Sequence, residues 1–167
     1  ISPFGIWRPG HPPGIRGFDQ HKEIHADARL WLRRGWVDYY TPQLYWPIGQ
    51  VPQSFPVLLG WWLEQNLAGR HLWPGLGPYK VAARRPKPVR EVVNEIMVTR
   101  GMVPRAPGAV HYSMKSLMRN RDLVQALRRG PYRRPALVPA TPGLDADPPP
   151  APRLRLTEGG IAWKQAP

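Results

Sequence analysis

The sequence predicts an α/β fold built on a parallel sheet, and two observations predict it. Three times in the first 75 residues an apolar segment runs into a tryptophan and meets a proline: Phe4-Gly5-Ile6-Trp7-Arg8-Pro9, Pro42-Gln43-Leu44-Tyr45-Trp46-Pro47 and His71-Leu72-Trp73-Pro74. Proline cannot donate to a sheet ladder and biases the preceding residue toward an extended conformation, so each motif reads as the C-terminal end of a strand. The second observation is the helix-length amphipathic stretches between the motifs. Strand, aromatic lip, loop and helix in alternation give parallel α/β architecture with a binding rim at the strand ends.

Residues 2–8 read as the first strand, and the loop 9–17 is too rich in proline and glycine to be helical. Asp19 is placed to cap a helix whose Ile24, Ala28, Trp31 and Leu32 share one face, and Gly35 ends it. Residues 36–45 form the second strand, apolar enough to be buried on both faces. Ser54 then caps a helix with Pro56 in its first turn, Leu58, Leu59, Trp62 and Leu63 as its buried stripe, and Gly69 as its close. The third strand, 71–76, opens into the loop 77–88. A helix over 89–100 buries Val89, Val92, Val93, Ile96 and Met97 and stops at Gly101. Residues 109–113 make a fourth strand, and 117–129 a fourth helix ended by glycine.

The character changes near residue 138. Residues 139–152 hold six prolines and read as a stiff linker. Beyond it, 153–157 alternates at period two and Gly159-Gly160 turns into Ile161-Ala162-Trp163-Lys164, the opening strands of a β-sandwich module over 153–167. Ile1 opens directly into a strand pattern without methionine or leader, so the expectation is a longer chain interrupted at this point.

Composition narrows the chemistry. The 167 residues contain no cysteine, which excludes disulfides, thiol nucleophiles and thiolate metal sites. No apolar run approaches the roughly 20 residues of a membrane span. The net charge of +13 raises a basic nucleic-acid-binding module as one reading. However, the 19 arginines against 5 lysines are scattered singly or in pairs, and the four pairs fall at predicted helix ends or in loops; at helix C-termini the dipole favours cations. That distribution favours a solvated surface.

The motifs SPFGIWRPG, GFDQHKEIHADARLWLRRGWVDYYTPQLYWPI and GRHLWPGL, followed by GAVHYS and PALVP, resemble the glycosyl hydrolase-like 10 family. Its members are (β/α)₈-barrel proteins of the bacterial envelope, often carrying an immunoglobulin-like or fibronectin-like module after the barrel. The resemblance covers residues 1–139 and implies the C-terminal half of a TIM barrel, strands five to eight, within a domain 1–138; a whole barrel takes about 250 residues. It also implies hydrolysis of O-glycosyl bonds in cell-wall, peptidoglycan-type glycan strands, an extracytoplasmic location, a polysaccharide partner and no cofactor. The family's paired aspartates after an apolar strand have no counterpart here.

Glycoside hydrolysis generally needs two carboxyl groups, about 5–5.5 Å apart for retention or 6.5–9.5 Å for inversion. In a barrel they sit at strand C-termini. None of the 11 acids is well placed: Asp38 enters the second strand, seven acids lie on predicted helices, and Asp145, Asp147 and Glu158 lie in the tail. The expectation is therefore no catalytic residue in this chain and a substrate wall instead. Trp7, Trp46 and Trp73 are placed to stack on sugar rings, and Arg8, Gln43 and Tyr45 to bond hydroxyl or N-acetyl groups. Period-two alternation puts Gln43 and Tyr45 on one side. His111 shares a face with Ser113 on the fourth strand, as site or as satisfied interior, and each tryptophan fits a packed core equally well. His21 and His25 form HKEIH, not HExxH, and read as an exposed helical pair without metal; GLGPYK is no phosphate loop, since Pro78 lacks the amide donor. A non-catalytic carbohydrate-binding or scaffolding barrel is the main alternative to an enzyme, and oligomeric state is left open.

Overall fold

Four extended segments lie side by side in chain order, all parallel. The computed structural model describes residues 1–82, 88–141 and 153–164. Strand β1 (Tyr39–Tyr40) pairs with β2 (His71–Leu72), and β3 (Gly75–Leu76) pairs with β4 (Val110–His111). Bridges from Phe4 to Gln43 and from Gln43 to Gly75 join these pairs and add the N-terminal segment. The Thr41 and Gln43 amides donate to the Ile1 and Pro3 carbonyls, at 2.8 and 3.0 Å. Those of Trp73 and Gly75 donate to Tyr40 and Pro42, and those of Val110 and Tyr112 to Pro74 and Leu76.

Pro3, Pro42 and Pro74 thus sit inside the ladder and not at its ends. In a parallel ladder successive residues bond alternate neighbours, so each proline forfeits one donor while its carbonyl still accepts. The third segment pairs from His71 through Leu76, the span 71–76 read from the sequence, so its Trp73-Pro74 motif lies within the strand and does not close it.

One face of the ladder is covered. Tyr40, Leu44, Leu72 and Leu76 are buried there against the helices. The Tyr40 hydroxyl donates to the Ala28 carbonyl at 2.9 Å, and its ring meets Trp62 with centroids 5.1 Å apart. Burial pushes the Tyr40 phenol far above its ordinary range. The helices line up in chain order: α2 (Ala28–Arg33) against α3 (Phe55–Gln65), α3 against α4 (Val89–Met102), and α4 against α6 (Arg121–Arg129). The opposite face is open, and Tyr39 remains 47% exposed, so the second strand is not buried on both faces as its composition predicts.

The helices differ in detail from their sequence reading. The first expected helix breaks into α1 (Gln20–Glu23) and α2, because His25 takes a left-handed φ of 54° and Asp27 caps a second start by accepting from the Leu30 amide at 3.1 Å. Ser54 precedes α3 without capping it, since its hydroxyl donates to the Ile48 carbonyl at 3.1 Å. Helix α4 runs through Gly101 to Met102 and buries Val92, Glu95, Ile96 and Thr99, leaving Met97 exposed. The fourth helix divides into α5 (Met114–Arg119) and α6, with Asn120 capping the second. Strands β5 (Arg153–Thr157) and β6 (Gly160–Lys164) form an antiparallel hairpin with Thr157 opposite Gly160, at the turn the sequence marks. The expected linker lies largely outside the described residues.

Candidate functional site

The open face carries its side chains in levels. Toward the strand N-termini, Trp73 stacks on Tyr39 (5.2 Å, 27°) and on His71 (5.0 Å, 18°). Its indole N–H donates to the Ala106 carbonyl at 2.9 Å. The ring passes so close over Gly108 that a Cβ there would lie 2.7 Å from it. One level up, Phe4, Gln43, Gly75 and Val110 are in register. The Gln43 side-chain amide donates to the Ser2 carbonyl at 3.0 Å.

The level nearest the strand C-termini is aromatic. Tyr45 stacks on Tyr112 (5.9 Å, 23°), and the Tyr79 ring stands edge-on to both, at 5.9 and 6.0 Å. Glycines make this possible. A Cβ on Gly77 would come within 3.1 Å of the Tyr45 Cβ, and one on Gly75 within 3.4 Å of its ring. Desolvation first, then the neighbouring phenols, raise the hydroxyl pKa of Tyr45, and the same causes raise that of Tyr79. Both therefore stay neutral hydrogen-bond donors around pH 7. A second aromatic group borders the first segment, with Phe4 edge-on to Trp46 (5.5 Å) and to Phe18 (5.4 Å). Gln43 lies between the two groups, one level below.

Of the residues singled out by sequence, Gln43 and Tyr45 share the open face at this end, beside Gly75, while Trp46 packs against Phe4 and the core. Trp73 shares the face but sits lower, because its strand continues past it. Trp7 belongs elsewhere: it is 9% exposed, donates to Asp27 Oδ1 at 3.1 Å, stacks on Trp61 (5.9 Å, 18°) and lies under the Arg29 guanidinium at 4.9 Å. Arg8 turns to Asp19, 3.5 Å away, and the Lys22 amide followed by Arg8 holds the Asp19 carboxyl below its ordinary range. The cause is the early departure of the first segment from the ladder. Trp62 donates to the Gly5 carbonyl at 2.8 Å, and the buried Gln20 donates to those of Phe4 and Ile6 at 2.9 and 2.8 Å. Strand alternation stops there. His111 faces the helices, as does its register partner Leu76, with a ring nitrogen 2.7 Å from the Tyr132 hydroxyl.

Tyr112, Tyr79 and Phe18 lie outside the candidates the sequence supplies. Alternation from Val110 places Tyr112 on the open face, a signal present in the sequence; Tyr79, in the helical turn Pro78–Ala82, follows from no periodicity. Three of the acids are engaged away from the tyrosines: Glu91 accepts from the Ile48 amide at 2.7 Å, and Asp19 and Asp27 cap helices. Among the described residues no cluster of histidines and carboxylates could hold a metal ion. A cavity of about 510 Å³ lies at the opposite end of the strands, lined by Leu63, Arg70, Leu72, Met102 and Val103 among others.

No family model matches the chain. It is 34% identical over 173 aligned residues to the protein named glycosyl hydrolase YngK of Bacillus subtilis (strain 168), an alignment taking in 95% of this chain and 33% of that relative. The protein named glycosyl hydrolase DigH of Escherichia coli (strain K12) is 37% identical over 86 residues, 48% of this chain and 20% of its own length, and a protein of the same name from Shigella flexneri matches equally. The chain thus spans a third or less of the curated relatives it matches. These similarities support a glycosyl hydrolase-like chain.

Proposed function

We propose that the chain is the C-terminal half of a (β/α)₈ barrel of the glycosyl hydrolase-like 10 type, and that its strand ends form the sugar-binding wall of a glycoside hydrolase. The substrate is a cell-wall glycan strand, met outside the cytoplasm, and residues 153–167 open a following β-sandwich module. Four parallel segments in chain order with their helices on one side support the barrel. A doubly wound sheet would instead reverse its strand order and cover both faces. The observation that carries the functional reading is the cluster of Tyr45, Tyr79 and Tyr112 at the strand C-termini, above Gln43 on the open face.

In this reading the chain binds and orients while the carboxylates that break the bond come from the preceding half. A tyrosine face packs against the C–H face of a pyranose and excludes water from it. The phenol O–H groups and the Gln43 carboxamide bond ring hydroxyl and N-acetyl groups, fixing the scissile linkage against the acids. A binding barrel without catalysis is the second reading, which the stacked phenols and the Gln43 carboxamide serve equally well.

The test is glycan-strand hydrolysis by the full-length polypeptide carrying this chain. Gln43→Ala and Tyr45→Ala are each expected to lower kcat/KM about tenfold to a hundredfold, the equivalent of about 1–3 kcal/mol. His21→Ala leaves the rate alone. Unchanged kcat/KM in both wall variants would move the site elsewhere. Glycan binding without cleavage by the full-length protein would establish the non-catalytic barrel.

A further inference from the structure

A recess of about 260 Å³ opens beside the tyrosine cluster, lined by Pro78, Tyr79, Lys115, Ser116, Arg119 and Asn120. Tyr79 is its shared wall, since the same ring also meets Tyr45 and Tyr112. Lys115 and Arg119 stand four residues apart on α5 and so rise from one helix face. Among the described residues neither has a hydrogen bond or an ion pair, and no carboxylate lines the recess. The Asn120 carbonyl oxygen is spent on the Leu123 amide at 2.9 Å, so its NH₂ is the half left to donate. The recess therefore offers two like charges in mutual repulsion, an amide donor and a phenol, with no negative group among its described lining residues to balance them. An anion between the two cations would turn that repulsion into paired, charge-assisted hydrogen bonds.

We propose that this recess takes a compact acidic substituent, a carboxylate or a phosphate, carried by a sugar seated on the tyrosines. The protein then selects acidic over neutral glycans. The inference rests on the sugar-binding reading above and adds the charge of the substrate to it. The volume suits one acid group with its linking atoms and is too small for a second polymer chain. A free anion would meet only an exposed pair of cations; the same anion tethered to a bound sugar arrives at high effective concentration.

Calorimetric titration of the full-length polypeptide tests this with four probes of equal length. These are a β-1,4-linked N-acetylglucosamine oligomer, a glycan alternating N-acetylglucosamine with N-acetylmuramic acid, the methyl ester of that glycan, and an N-acetylglucosamine oligomer bearing a sugar phosphate. At least one acidic probe is expected to bind about tenfold more tightly than its neutral counterpart, a gap that narrows as salt is raised. In Lys115→Ala/Arg119→Ala the ratio falls toward one, while an unchanged melting profile reports an intact fold. A preference confined to the muramic acid glycan identifies the anion as carboxylate, and one confined to the phosphate probe as phosphate. Equal binding of all four probes, or a preference that survives the double substitution, would overturn the recess and leave the wall standing. Failure of all four to bind would overturn the sugar-binding reading, and the recess with it.

Discussion

Gln43 and His111 look alike as sequence, each a polar residue in a predicted strand. The structure separates them by one step of register: Gln43 shares the open face with Gly75, whereas His111 pairs with Leu76 and faces the helices. Its Nε2 meets the Tyr132 hydroxyl at 2.7 Å, its Nδ1 is buried without a partner among the described residues, and desolvation lowers its pKa from the ordinary 6.5. A histidine that resists protonation when folded gains a proton on unfolding, so acid favours the unfolded chain. Stability should be unaffected by this group above about pH 6.5 and fall as the pH drops from there toward the folded pKa. Thermal melts from pH 8 to pH 5 check this: His111→Phe should flatten part of the acid-side decline, and an identical slope in the variant would contradict it. Alternation suffices to place Gln43 and Tyr45 on one side of the sheet. It cannot say which side the helices cover, and so cannot separate site from core. Trp7 escapes it altogether, because Gln20 and Trp62 capture the carbonyls on which strand periodicity would have run.

At the level of elements, the order of strands and helices is legible from the amphipathic stretches, and the terminal hairpin from its alternation and its glycines. The breaks are less so. Nothing in periodicity marks the left-handed His25 or the second caps at Asp27 and Asn120, which arise when local side-chain acceptors compete with helix continuation. Two glycines give opposite predictions. A Cβ on Gly5 would collide with the Gln43 carbonyl oxygen and approach Leu44 and Trp46 to 2.9 Å, which forces the first segment off the second. Gly5→Ala should cost about 1–3 kcal/mol or more, read as a lower melting temperature and a lower denaturant midpoint. Gly101 lies inside α4 with nothing within 4 Å of its Cβ position, so Gly101→Ala should stabilise by about 0.5–1 kcal/mol. Equal effects from the two would count against the close packing of the first two segments.

For the molecule as a whole, the charge of +13 is its least specific property. Several arginines are engaged one at a time: Arg8 with Asp19, Arg29 with Gln65 and the Trp7 face, Arg100 with the Pro131 carbonyl. Such dispersed cations predict weak duplex DNA binding that disappears by about 0.2 M salt. Tight binding that persists at that salt would bring the nucleic-acid module forward. The central claim is that the strand C-termini, and no other surface, receive sugar. Crystals of the full-length polypeptide grown with a β-1,4-linked N-acetylglucosamine oligomer test it most directly. A pyranose ring is expected against Tyr45 or Tyr112, with a hydroxyl or N-acetyl group within hydrogen-bond reach of Gln43. An oligomer that saturates the protein in solution yet sits in the cavity beside Arg70, or against the helices around Trp7 and Trp61, would contradict it.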